Sequence, residues 1–127
     1  MTSRVVHFEI PADNPESAAA FYSAAFGWKI TKWDGPMPYW LVDTGEGEPG
    51  INGGIMERNG PFDRVINTVN VDNLDAAIAR VAELGGSLLG EKMNIQDIGD
   101  LQYAKDPDGN IFGMMQPVQA VVTTGTA

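Results

Sequence analysis

Two stretches decide the fold: VHFEIPADNPESAAAFYSAAFG at residues 6–27 and VINTVNVDNLDAAIARVAELGG at residues 65–86. In the first, Val5 to Pro11 is short, apolar and β-rich, which predicts a strand. Asp13-Asn14-Pro15-Glu16 then opens a helix with a capping side chain, a proline at its first position and an acid in its first turn. Ala18, Phe21, Tyr22, Ala25 and Phe26 recur at helical spacing, and Gly27 ends the helix. The second stretch repeats this grammar. Val65 to Val71 is a strand, Asp72-Asn73 opens a helix striped by Leu74, Ala77, Ile78, Val81 and Leu84, and Gly85-Gly86 stops it. A single gapless shift of 59 residues takes Val6 to Val65, Asp13 to Asp72, Asn14 to Asn73 and Gly27 to Gly86. The same shift carries Gly50, Gly54 and Met56 onto Gly109, Gly113 and Met115. These are strand starts, caps and turn glycines, where backbone geometry selects the residue type. One constant register through every element points to an internal duplication.

Working outward, Trp28 to Trp33 and Met37 to Thr44 form strands around an Asp34-Gly35 hairpin signal. An acidic, glycine-rich loop from Gly45 to Gly50 leads into a strand at Ile51 to Glu57. In the second half Ser87 to Lys92 and Leu101 to Lys105 are strands. Asp106-Pro107-Asp108-Gly109 is a tight turn, and Asn110 to Gln116 is the last strand, closed by Pro117. The prediction is an α+β chain of two tandem βαβββ modules forming a single domain over 1–127. Module 1 runs from about 4 to 57, a linker from 58 to 64, module 2 from about 65 to 117 and a tail from 118 to 127.

Composition removes several classes. Without cysteine there is no disulfide, iron–sulfur cluster, thiolate zinc site or cysteine nucleophile. Eight basic residues against seventeen acidic give a net charge of −9, which argues against a nucleic-acid partner or an anionic membrane. No apolar run approaches a membrane span, and the start does not resemble a secretory signal, so a cytoplasmic location is expected. His7 is the single histidine, so any site built on two histidines is excluded. No phosphate loop, Ser-His-Asp set or Rossmann glycine pattern is present.

The chain resembles the vicinal oxygen chelate superfamily, which includes glyoxalase I, bleomycin-resistance proteins and extradiol dioxygenases. The residues that carry the likeness are His7-Phe8-Glu9-Ile10-Pro11-Ala12-Asp13 through Phe21-Tyr22, and Phe26-Gly27-Trp28. In the second half they are Val71-Asp72-Asn73-Leu74, Gly85-Gly86 and Asp106-Pro107-Asp108-Gly109-Asn110. Gly50-Ile51-Asn52-Gly53-Gly54 brings it nearest the glyoxalase-like, PhnB-like branch. The resemblance implies a mixed sheet curled around a cavity, with the helices outside. It also implies four metal-ligand positions on equivalent strands, which fall here on His7, Glu57, Ile66 and Gln116. Ile66 has no donor atom and Gln116 offers a neutral amide, so the set departs from the metal-binding pattern. The cofactor expectation is therefore none, with a divalent metal weakly held by His7, Glu57 and Gln116 as the alternative.

On the first strand His7 and Glu9 share a face, which makes His7, Glu9 and Glu57 the candidate acid–base groups. Trp40, Met56, Ile66 and Met115 are the candidate cavity lining. In strand three, Trp40 and Pro38 lie on one face, Tyr39 and Met37 on the other. Three activities follow from the resemblance. One is a glyoxalase-like lyase or isomerase acting on a small oxygenated substrate. The others are a metal-free binding protein that sequesters a small molecule or antibiotic, and a metal-free acid–base enzyme. A homodimer is expected, with the uncharged tail as part of its interface.

Overall fold

The computed structural model describes residues 3–118. Its elements are β1 (Val5–Ala12), α1 (Pro15–Phe26), β2 (Lys29–Lys32), β3 (Tyr39–Asp43) and β4 (Asn52–Glu57), followed by β5 (Ile66–Asn70), α2 (Leu74–Glu83), β6 (Ser87–Ile95), β7 (Gly99–Lys105) and β8 (Ile111–Pro117). This is βαβββ twice over, the order predicted from the duplication.

Both helices start as their caps require. Asn14 Oδ1 accepts from Ser17 N, and Asn73 Oδ1 accepts from Ala76 N, each at 3.0 Å. Gly27 ends α1 in the left-handed region at φ 74°, where a side chain is strained. The turn after β7 is built by Asp106, whose Oδ1 accepts from the N–H groups of Asp108 and Asn110. Those bonds, with the Asn110 side chain foremost, hold its carboxyl below the usual range.

The chain divides into two compact units, Arg4–Val69 and the residues from Asn70 onward. In the first, the strands lie in the order β2-β3-β4-β1-β5. β4 runs parallel to β1, while β5 runs antiparallel to β1's other edge, so β1 and β5 of one chain pair directly. Phe8, Ile10 and Ala12 face α1 and pack with Val42, Ile55, Tyr22 and Trp28 into the core of this unit. In the second unit β8, β7 and β6 form an antiparallel meander with α2 packed on it. Leu74, Leu101, Ala104 and Met114 are buried there.

β6 extends three residues beyond its predicted end, to Ile95, and β7 starts at Gly99. The hairpin between them turns through Asp97 at φ 68°, a conformation an aspartate tolerates better than most side chains. Residues 119–127 of the tail lie outside the described residues. Among the described residues no helix is long and apolar enough to cross a membrane.

Candidate functional site

Strand alternation sorts the first unit into two faces. With Phe8, Ile10 and Ala12 turned to α1, His7 and Glu9 point the other way. Parallel pairing with β4 places Asn52 beside His7, Gly54 beside Glu9 and Met56 beside Pro11. Antiparallel pairing with β5 places Thr68 opposite His7 and Ile66 opposite Glu9. Glu9, Ile66 and Thr68 are all buried, so this end of the face is desolvated.

A residue two strands away completes the arrangement. Tyr39 on β3 pairs with Met56 and therefore shares the His7 face. Its ring lies over Gly54, so close that a Cβ there would overlap the phenol. The missing side chain lets the ring cross β4, and its hydroxyl meets His7 Nε2 at 2.7 Å. Trp33 packs edge-on against Tyr39 at 6.2 Å between centroids, and the Trp33 ring in turn covers Gly35. The hairpin thus braces the phenol from behind. Burial pushes the His7 pKa down, while the nearby Glu9 carboxylate opposes that shift. Near neutral pH the imidazole is therefore held uncharged, with one nitrogen engaged by a phenol.

The other residues singled out from the sequence scatter. Glu57 pairs with Ala12, five residues along the ladder from the His7–Asn52 pair and on the opposite face. At strand rise this separates it from His7 by roughly 16 Å, and it is exposed. Trp40 turns to the helix side and joins the core around Ala12, Val42 and Ile55, with Lys32 Nζ 5.5 Å above its ring. Met56 does lie on the His7 face, half-buried, and Ile66 lies there fully buried. In the second unit Met115 pairs with Leu101. Gln116 spends its amide oxygen on the start of α2, accepting from Leu74 N at 2.8 Å.

These positions do not fit the divalent metal that the fold family implies. Glu57 is on the wrong face, Ile66 has no donor, and the Gln116 oxygen is already bonded. Among the described residues no three His, Asp or Glu side chains come together in a metal-holding group. A cleft of about 380 Å³ lies on the helix side, lined by Asp13, Ser17, Phe21 and Arg58, away from His7.

Sequence reasoning put Tyr39 on the strand face opposite Trp40, one of two faces that could line the cavity, but chose Trp40, and it missed Gly54 and Thr68. A signal for Tyr39 and Gly54 was present: glycine inside a strand marks close approach of another group. Identifying that group required the β3–β4–β1 register.

Paired βαβββ modules with the first strand's histidine on the face away from the helix define a vicinal oxygen chelate protein. The glyoxalase-like domain model matches residues 6–115, and the chain belongs to that family. A Mycobacterium tuberculosis protein named "Putative glyoxylase CFP32" is 30% identical over 122 residues, covering 91% of this chain and 45% of its own length. The chain thus spans about half the length of that relative. A glyoxylase-like domain-containing protein of Didymella fabae is 32% identical over 108 residues, covering 80% of this chain and 84% of its own. Among solved structures, methylmalonyl-CoA epimerase from Mycobacterium tuberculosis superposes with a TM-score of 0.70. It does so at 15% identity, covering 94% of this chain and 93% of that one.

Proposed function

We propose that this chain moves a proton on a small oxygenated molecule bound against the His7 face of the first unit, as an isomerase or lyase that needs no tightly held metal. The observation that carries this reading is a neutral imidazole and a buried carboxylate, His7 and Glu9, two residues apart on one strand face. A base beside a hydrogen-bonding group is the minimum for taking a proton from carbon next to a carbonyl. The fold neighbour that is named an epimerase supports the reading by analogy of chemistry. The dispersal of Glu57 and Gln116 supports its independence from metal.

The test is deuterium incorporation from D2O into 3-hydroxybutanone, dihydroxyacetone and 2-oxobutyrate, followed by NMR with chelator-treated protein. Exchange above background is expected, and Glu9→Gln should abolish it. Binding of these probes without exchange would favour the sequestering protein instead. Exchange seen only after adding nickel, zinc or manganese would overturn the metal-independent reading.

A further inference from the structure

We propose that Asn59 is a site of covalent self-modification, where the backbone nitrogen of Gly60 attacks the Asn59 carboxamide and converts it to a mixture of aspartate and isoaspartate. The inference stands apart from the proton-transfer reading and concerns the turn between β4 and β5.

The chain contains two Asn-Gly pairs, Asn52-Gly53 and Asn59-Gly60. A glycine after asparagine leaves the attacking nitrogen unshielded by a side chain, so the sequence gives both pairs the same intrinsic reactivity. The structure separates them. Asn52 opens β4, which is paired on both edges, with Phe8 beside Gly53 on one and Val42 on the other. Gly53 is buried. The Asn52 carboxamide oxygen is held by Thr44, accepting from its N–H at 2.9 Å and its hydroxyl at 3.2 Å. Attack on this amide requires β4 to leave the sheet.

Asn59-Gly60 lies in the exposed turn that leads from β4 to β5. That turn is held at its base. Phe62 N donates to Asn59 O at 3.0 Å, and Asn59 N donates to Phe62 O at 3.4 Å. Arg58 clamps the flanks: its N–H donates to Ala12 O at 2.9 Å and its Nη1 to Asp63 O at 2.7 Å. Gly60 and Pro61 form the tip. Pro61 has no N–H to pair. No atom lies within 4 Å of the place a Cβ on Gly60 would take, so the tip has room to rotate. The Asp-Gly pairs, which could cyclise by the same route, are closed. Gly109 N already donates to Asp106 O at 2.9 Å, and Gly35 lies under the Trp33 ring.

The step balances. The Gly60 nitrogen gives up its proton and bonds to Asn59 Cγ as the Cγ–N bond of the carboxamide breaks, and the NH2 group leaves with that proton as ammonia. Water then opens one of the two C–N bonds of the cyclic imide. One opening yields aspartate. The other yields isoaspartate, whose main chain runs through the β-carbon and so lengthens the Asn59–Phe62 turn. Water is the only co-reactant. Either product adds a negative charge to a chain that already carries −9.

The test holds the full chain at pH 8, folded or in urea, and maps its peptides by mass spectrometry. Cleavage after Arg58 puts the two asparagines on different peptides. Isoaspartate is counted by labelling with an isoaspartyl methyltransferase. In the folded protein Asn59 should convert to both isomers at a rate within about threefold of that in urea, as befits an exposed loop. Asn52 should convert about 100-fold more slowly folded than in urea, because it waits for β4 to open. Asn59→Gln should remove the isoaspartate from the folded protein. An intact Asn59 in folded protein, with both sites converting in urea, would overturn the proposal. Equal conversion of Asn52 and Asn59 in the folded state would overturn the selection of one site by the fold. Aspartate at position 59 without isoaspartate would overturn the attack by Gly60, since direct hydrolysis by water yields aspartate alone.

Discussion

His7 links the chemistry of the site to the stability of the fold. Burial lowers its pKa from the ordinary 6.5, so the unfolded chain binds its proton more readily than the folded one. Stability from this residue is then fully present above pH 6.5 and falls as pH drops toward the depressed folded value. Thermal melts between pH 8 and pH 5 should show a decline beginning near pH 6.5, before the seventeen acidic residues begin to titrate in bulk. In His7→Gln this early decline should disappear, and an unchanged profile would mean that the imidazole is not desolvated. Gly53 makes the opposite-face counterpart of Gly54. A Cβ there would collide with the Phe8 carbonyl and ring, so Gly53→Ala should cost about 1–3 kcal/mol in a denaturant titration. Gly47→Ala, in the open acidic loop, meets no neighbouring atom and bears only the strain of its positive φ.

Helix α2 shows how an element in this fold is held at one end by two separate devices. Asn73 caps Ala76 N, while Gln116, arriving from β8, accepts from Leu74 N beside it. Together they satisfy two of the orphan donors in the first turn and dock the helix onto the meander. Asn73→Ala and Gln116→Ala should each cost about 1 kcal/mol, measured by urea unfolding. Their double mutant should depart from additivity because both act on one helical turn. A Gln116→Ala protein of unchanged stability would leave its amide for other work. The caps of both helices were legible in the sequence because Asn14, Asn73, Pro15 and Gly27 act on backbone only a few residues away. The role of Gln116 was not, because its partner is 42 positions distant. The same limit explains Glu57 and Tyr39. Periodicity told which residues of one strand share a face, but the sequence does not state how far β4 slides along β1. Pairing His7 with Asn52 rather than with the strand's end removes Glu57 from the site and brings Tyr39 over Gly54.

At the scale of the whole molecule the duplication was fully legible, since one shift of 59 residues aligns both modules. What the described residues leave unpartnered is the outer surface of α1. Its sequence is apolar nearly all round, and Phe21 and Phe26 are 61% and 64% exposed. Aromatic side chains left in water along one helix form an apolar patch of the kind that serves as a contact surface. The CFP32 relative is about twice as long as the matched stretch, so in that protein a second segment of comparable length accompanies this one. A second copy of this chain would be such a partner, which is the homodimer expected from the sequence. Light scattering at micromolar concentration should then give about twice the chain mass of 13.6 kDa. Phe21→Ser combined with Phe26→Ser should return the particle to monomer mass without unfolding it, because neither ring belongs to the buried core around Ile55. A wild-type monomer would defeat the expectation, and a double mutant that stays dimeric would move the interface off α1. High salt should not dissociate the dimer, since an aromatic contact between two chains each of charge −9 is strengthened when their mutual repulsion is screened.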